Sequence, residues 1–230
     1  MKGFTEKLLS WYELAHRKLP WRVSTDPYRV WLSEIILQQT RVSQGMSYYL
    51  DFITQYPDVA SLAKASEVEV LKMWQGLGYY SRARNMLHAA RQVVNEYGGR
   101  FPDNRDDLLS LKGIGNYTAA AISSISFGET VPVVDGNVKR VVARIFGVQS
   151  TGQALYDEVE ALMASYIHHE RPGDFNQAVM EFGALQCIPR NPDCEACIFS
   201  DRCYALKNGM ISELPGKEPR SRPKERYFSY

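Results

Sequence analysis

The sequence predicts an all-α fold, and three observations carry that prediction. Apolar residues recur at three- and four-residue steps through most of the chain, beginning with Phe4, Leu8, Trp11 and Ala15. The one β-like run, Val131 to Val134, is four residues long and reads as an extended linker. Between the periodic stretches lie caps, prolines and paired glycines, the signals that start and stop helices.

Taken in order, Asp26 caps a helix that opens at Pro27, runs through Trp31, Ile35 and Ile36, and carries Glu34. Ser66 with Glu69 forms a capping box ahead of Val70, Leu71 and Trp74; Gly76 and Gly78 stop that helix, and another starts near Tyr80. Asp106 to Leu111 reads as a short helix, followed by the tight turn Lys112-Gly113-Ile114-Gly115 and an alanine-rich helix from Thr118. Asp135-Gly136-Asn137 turns into a helix from Val138 to Phe146, and two more fit Ala154 to Ile167 and Phe175 to Leu185. Beyond Leu214, Pro215, Pro219 and Pro223 among basic residues predict a tail that does not pack on its own.

The 230 residues suffice for one fair-sized domain or two small ones sharing a cleft. Hydrophobic residues at 45% and charged residues at 23% exclude a disordered chain. No run reaches the ~18 apolar residues of a membrane span, and the charged start from Met1 to Lys18 is no secretion signal, so a cytoplasmic protein is expected. A net charge of +1 excludes a binder that works by bulk attraction to nucleic acid; any such contact is local.

The four cysteines, Cys187, Cys194, Cys197 and Cys203, lie within 17 residues, separated by six, two and five others. Thiolates so spaced can wrap one metal centre. Structural zinc usually uses two C-x-x-C knuckles, whereas only Cys194 and Cys197 form one, so an iron–sulfur cluster is favoured with zinc as its rival. The glycines of the 112–115 turn let backbone N–H groups converge on a phosphate beside a helix start, although a G-x-G between helices is often a plain turn. Glu34, flanked by Trp31, Ile35 and Ile36, is a carboxyl placed to hold a proton at neutral pH, and Asp135 is either a helix cap or a second functional carboxylate.

Leu111 to Ala119 resembles the helix-hairpin-helix of base-excision DNA glycosylases, followed by Val134-Asp135-Gly136-Asn137-Val138-Lys139-Arg140 where that superfamily carries its aspartate, and the cysteine spacing resembles its [4Fe-4S] loop. Leu19-Pro20-Trp21-Arg22, Trp31-Leu32-Ser33-Glu34 continuing to Leu37-Gln38-Gln39-Thr40, Gly76-Leu77-Gly78-Tyr79-Tyr80 and Phe175-Asn176-Gln177-Ala178 resemble MutY adenine DNA glycosylases, a likeness that covers almost the whole chain. It implies a helix-hairpin-helix glycosylase fold: a six-helix domain over residues 22–130, a cluster domain from 1–21 with 131–210, and a linker-like tail at 211–230. The implied activity is removal of adenine opposite 8-oxoguanine or guanine from double-stranded DNA, by a cytoplasmic, nucleoid-associated bacterial monomer that does not bind membranes.

The same resemblance makes Glu34 the acid that protonates the base and Asp135 the anion beside the developing sugar cation, with Asn137 assisting. It places Trp21, Arg22, Leu37, Gln177 and Glu181 around the extruded adenine, and Gln39, Leu77, Gly78, Tyr79, Gly113 and Gly115 against DNA, Gln39 and Tyr79 entering the stack. Tyr117 stands where bifunctional relatives have a Schiff-base lysine, so strand cleavage is expected to be weak. Arg82 and Arg84 read as phosphate contacts or an exposed helix face. MutY proteins continue into a Nudix-like domain, whose first strand Tyr227-Phe228-Ser229-Tyr230 would begin; without it, preference for 8-oxoguanine is expected to be blunted. The rival readings are a thymine–guanine mismatch glycosylase and a cluster-bearing module without catalysis.

Overall fold

A computed structural model describes residues 3–216, and every regular element among them is helical. Residues 217–230 of the expected tail, with its closing Tyr227–Tyr230 run, lie outside the described residues; the start of the 211–230 segment is packed, with Leu214 buried in the second core and Ile211 against it. Among those described, no helix is long and apolar enough to cross a membrane.

The first apolar core gathers α2 (Pro27–Leu37), α3 (Val42–Gln55), α4 (Val59–Lys64), α5 (Glu67–Met73), α6 (Ser81–Glu96), α7 (Arg105–Ser110) and α8 (Asn116–Ser126) around Trp31, Tyr49, Phe52 and Trp74. Asp26 accepts from the Arg29 N–H at the head of α2, and Ser66 with Glu69 closes both halves of the box at α5, as the sequence signals. The reading from sequence did not single out α3 and α4. The former carries Gly45, which falls where a Cβ would lie 2.9 Å from Leu37 and 3.3 Å from Ile36, so the helix draws close to α2 at a residue that weakens its own propensity.

The second core joins the start of the chain to its later half. Phe4 on α1 (Phe4–Ala15) meets Phe146 of α9 (Gly136–Phe146), Tyr166 of α10 (Gly152–Tyr166), Phe175 of α11 (Pro172–Leu185) and Phe199, with ring centroids 5.1–6.4 Å apart. A short helix, α12 (Tyr204–Lys207), follows the cysteine loop.

Helices α8 and α11 cross between the two cores. At the crossing is Gly173, where a Cβ would sit 2.8 Å from the Ile125 Cα and 2.9 Å from the Ser124 carbonyl. Backbone cannot step aside as a side chain can, so Gly173→Ala is expected to cost about 1–3 kcal/mol, read as a lower unfolding midpoint. Beside this crossing the buried Asn176 side chain accepts from Val133 N–H and donates to the Val131 carbonyl and Ser124 Oγ. One amide thus satisfies the backbone of the Val131–Val134 linker, which stays extended without a partner strand and delivers Asp135 to the head of α9.

Candidate active site

A cavity of about 460 Å³ opens between the two cores. Nine residues singled out in the sequence line it together: Trp21, Arg22, Glu34, Leu37, Tyr117, Asp135, Asn137, Gln177 and Glu181. They come from the turn before α2, from α2 itself, and from the starts or inner faces of α8, α9 and α11, so no short segment of chain contains the site.

Glu34 projects from α2 into the cavity, whose lining also includes Trp21, Val30 and Ile125. Burial pushes its carboxyl up to about 7; the Tyr117 hydroxyl bonded to it and the Arg22 charge pull the other way, and Asp135 pushes it further up. A carboxylic acid near 7 can give up a proton at neutral pH and take one back.

Burial also raises Asp135, but this carboxylate is held on both oxygens. Oδ1 accepts from Val138 N–H at 2.7 Å, capping α9, and Oδ2 accepts from Asn137 Nδ2 at 2.8 Å. Asn137 is fixed in turn by Arg140, which donates to its Oδ1 at 2.8 Å. Cap and site residue are therefore one and the same. The Tyr117 phenol, raised well above its ordinary value by burial and by Glu34 and Asp135, stays neutral and also lies 3.4 Å from the Met180 sulfur.

On the opposite wall, Glu181 is 1% exposed and receives four donors: Arg17 N–H, Nε and Nη2, and Arg22 Nη2, at 2.6–2.9 Å. Burial alone would raise this carboxyl, but the two arginines outweigh it and hold it at about 2. Glu181 thus presents a fixed anion whose oxygens are engaged, and what it sets toward the cavity is Arg22. Gln177 accepts from Tyr12 OH at 3.3 Å.

The six residues expected against DNA lie outside the cavity lining. Gln39 and Tyr79 are exposed and take left-handed backbone angles, φ 56° and 45°, which non-glycine residues seldom adopt. Leu77 and Gly78 form the turn that carries Tyr79, and Gly78 also has a positive φ. In the hairpin Gly113 has φ 82° and packs where a Cβ would fall 2.7 Å from Asn85 Cβ, so glycine is required there on two counts; Gly115 stands at the head of α8. Arg84 pairs with Glu67 at 2.8 Å on the surface, in keeping with the exposed helix face that was one of its two readings, whereas Arg82 turns inward onto backbone carbonyls and fits neither.

The four cysteines line one small cavity under α9 and α11. Burial raises the thiols of Cys194 and Cys203 and lifts Cys197 to about 11, so free thiolates are costly here and a thiolate-binding metal relieves that cost. Arg144, 2% exposed, donates to the carbonyls of Ile188, Pro189 and Leu214 and reaches Cys187 Sγ at 3.6 Å; a buried cation with such partners suits an anionic cluster.

Comparison with known proteins agrees with this geometry. Residues 32–169 match the family described as HhH-GPD superfamily base excision DNA repair protein. The chain belongs to this superfamily. Residues 187–203 of this HhH-GPD protein, the stretch that carries all four cysteines, match the iron–sulfur binding domain of endonuclease III, which makes this loop the site of an iron–sulfur cluster. Its sequence is 42% identical to an adenine DNA glycosylase of Mus musculus, over 94% of this chain and 44% of that protein, and 37% identical to one of Buchnera aphidicola, over 94% and 63%. The HhH-GPD chain therefore spans about half the length of the curated relatives it matches. Among solved structures, a thermostable thymine-DNA glycosylase is 32% identical, with a TM-score of 0.82 over 90% of this chain and 96% of that one.

Sequence reasoning missed Arg17 and Met180 in the lining of the HhH-GPD cavity, and Tyr12 behind Gln177. Arg17 and Tyr12 sit on or just past α1, and neither carries a motif; what gives them a role is a fold that brings the first helix to α11.

Proposed function

We propose that the protein is a monofunctional DNA glycosylase that excises adenine opposite guanine or 8-oxoguanine, acting as a monomer on double-stranded DNA in the cytoplasm, at the nucleoid. The observation that carries this reading is the pairing, across one cavity of about 460 Å³, of a carboxyl near 7 on α2 with a doubly anchored carboxylate at the head of α9.

The adenine swings out of the helix, at a cost of a few kcal/mol, and Gln39 and Tyr79 fill the place it leaves. Gly113 and Gly115 offer N–H groups to a phosphate, with Leu77 and Gly78 beside them at the DNA. In the cavity Trp21 and Leu37 give the purine apolar walls, while Arg22, oriented by Glu181, and Gln177 meet its polar edge. Glu34 then gives its proton to the imidazole nitrogen. The C1′–N9 bond breaks with its electron pair going to the base, and Asp135, steadied by Asn137, offsets the positive charge on the sugar. Water adds to C1′, and the Glu34 carboxylate takes its proton, restoring the acid. No lysine lines the cavity, and Tyr117 supports Glu34 rather than attacking the sugar, so the backbone remains intact. The cluster, held by its four cysteines, braces the loop beneath α9 and α11.

The likeness to a thymine-DNA glycosylase supports a second reading, in which the base removed is thymine opposite guanine. The test is a panel of duplexes carrying adenine opposite 8-oxoguanine, adenine opposite guanine, and thymine opposite guanine, scored separately for base loss and strand scission. Adenine release without scission is expected. Faster thymine release would replace the first reading with the second, and no release from any duplex would leave a cluster-bearing module.

A further inference from the structure

Arg82 makes a set of bonds that the site as described does not use. Its Nη1 donates to the carbonyls of Ile35, Ile36 and Gln38 at 3.0, 3.2 and 2.6 Å, and its Nη2 to those of Leu77 and Gly78 at 3.2 and 3.3 Å. The guanidinium lies 5.0 Å over the ring of the buried Trp74 and 6.0 Å from that of Tyr79, and Trp74 Nε1 donates to the Gly78 carbonyl as well. All five acceptors are backbone carbonyls belonging to two segments far apart in sequence, the end of α2 and the turn before α6.

Two of these carbonyls have a special place. A carbonyl shares its rigid peptide plane with the nitrogen of the next residue. The Gln38 carbonyl therefore fixes the plane leading into Gln39, and the Gly78 carbonyl the plane leading into Tyr79. Those are the exposed residues held at φ 56° and 45°, conformations that persist only where the surroundings impose them. The carbonyls at the end of α2 carry the partial negative charge of a helix C-terminus, which accounts for a cation there without a carboxylate.

We propose that Arg82 is a positioning residue that locks Gln39 and Tyr79 into one rigid wedge before DNA is met. The proposal deepens the glycosylase reading and rests on it. A wedge set in advance does not have to be ordered while the base pair is being opened, so its benefit falls on extrusion and not on bond cleavage. Lysine cannot replace it, since a single ammonium lacks the planar fork that spans both segments.

The test compares the full chain with Arg82→Lys, Arg82→Met and, as a control, Arg91→Met. Arg91 also grips carbonyls, those of Ala63 and Ala65, but away from the wedge. Single-turnover adenine release is measured at saturating protein on two duplexes, one with adenine opposite guanine and one with adenine opposite an abasic analogue, where no pair must be opened. Both Arg82 variants are expected to lose roughly thirtyfold on the intact mispair and less than about threefold on the abasic duplex. Arg91→Met is expected to lower the unfolding midpoint without separating the two duplexes. Arg82→Lys retains charge and stem, which keeps the comparison decisive if the methionine variant unfolds. Equal losses on both duplexes, or a lysine variant like the unaltered chain, would overturn the assignment of Arg82 alone. An unaltered chain that releases no adenine from either duplex would overturn the glycosylase reading and this proposal with it.

Discussion

Glu34→Gln is expected to lower single-turnover base release by about 10²–10⁴-fold, the usual contribution of a positioned acid, while leaving duplex binding largely intact. Glutamine keeps the shape of the side chain and can still bond to Tyr117, but it has no proton to give. Because burial places the Glu34 carboxyl at about 7, the unaltered protein should lose activity as pH rises through that value. The same shift has a consequence for stability, of defined sign. A carboxyl raised in the folded state favours folding most below its unfolded value of 4.5, and that advantage is lost as pH rises through about 7. The glutamine variant should therefore be the more stable protein at pH 8, by up to about 3 kcal/mol, and the two should converge toward pH 5. Unfolding midpoints of both proteins across pH 5–8 test this; curves that stay parallel would mean that Glu34 is not desolvated.

Glu181→Ala is expected to have the largest effect on folding. It removes the acceptor of four donors and leaves the Arg22 guanidinium, whose side chain is 13% exposed, without its partner in a largely closed wall. Breaking a buried pair from one side costs about 3–5 kcal/mol, because the remaining charge stays desolvated; Arg17, 36% exposed, recovers some hydration and softens the loss. Its pH dependence runs opposite to that of Glu34. A carboxyl lowered to about 2 contributes fully above its unfolded value of 4.5 and loses that contribution as pH falls through about 2. Denaturant titrations at pH 7 and pH 3 would separate the two carboxylates. A loss below about 1 kcal/mol at pH 7 would show that the arginines find other partners.

Much of this was legible before any coordinates, for reasons that differ from residue to residue. The helices flagged by Asp26-Pro27 and by Ser66 with Glu69 were readable because caps act within four residues, and sequence records local chemistry well. Helix α3 was harder to see, since Gly45 and its flanking serines hide a periodicity rescued by packing against α2. At the site, Glu34 and Asp135 were recognisable from their motifs, but nothing local indicates that both oxygens of Asp135 are occupied or that four donors converge on Glu181 from positions 159 and 164 residues away. Arg82 was misjudged for the same reason: charge on a helix reads as surface until one knows which carbonyls lie beneath it.

The route of the chain through its second core has a bearing on biogenesis. Phe4 and Trp11 leave the ribosome well before the rings they rest on, Phe146, Phe175, Phe182 and Phe199. Helices from α2 to α8 can collapse on one another in the meantime, while α1 waits as an apolar strip with nothing to cover it. Folding then cannot simply follow the order of synthesis: α1 is made well before the helices that seat it.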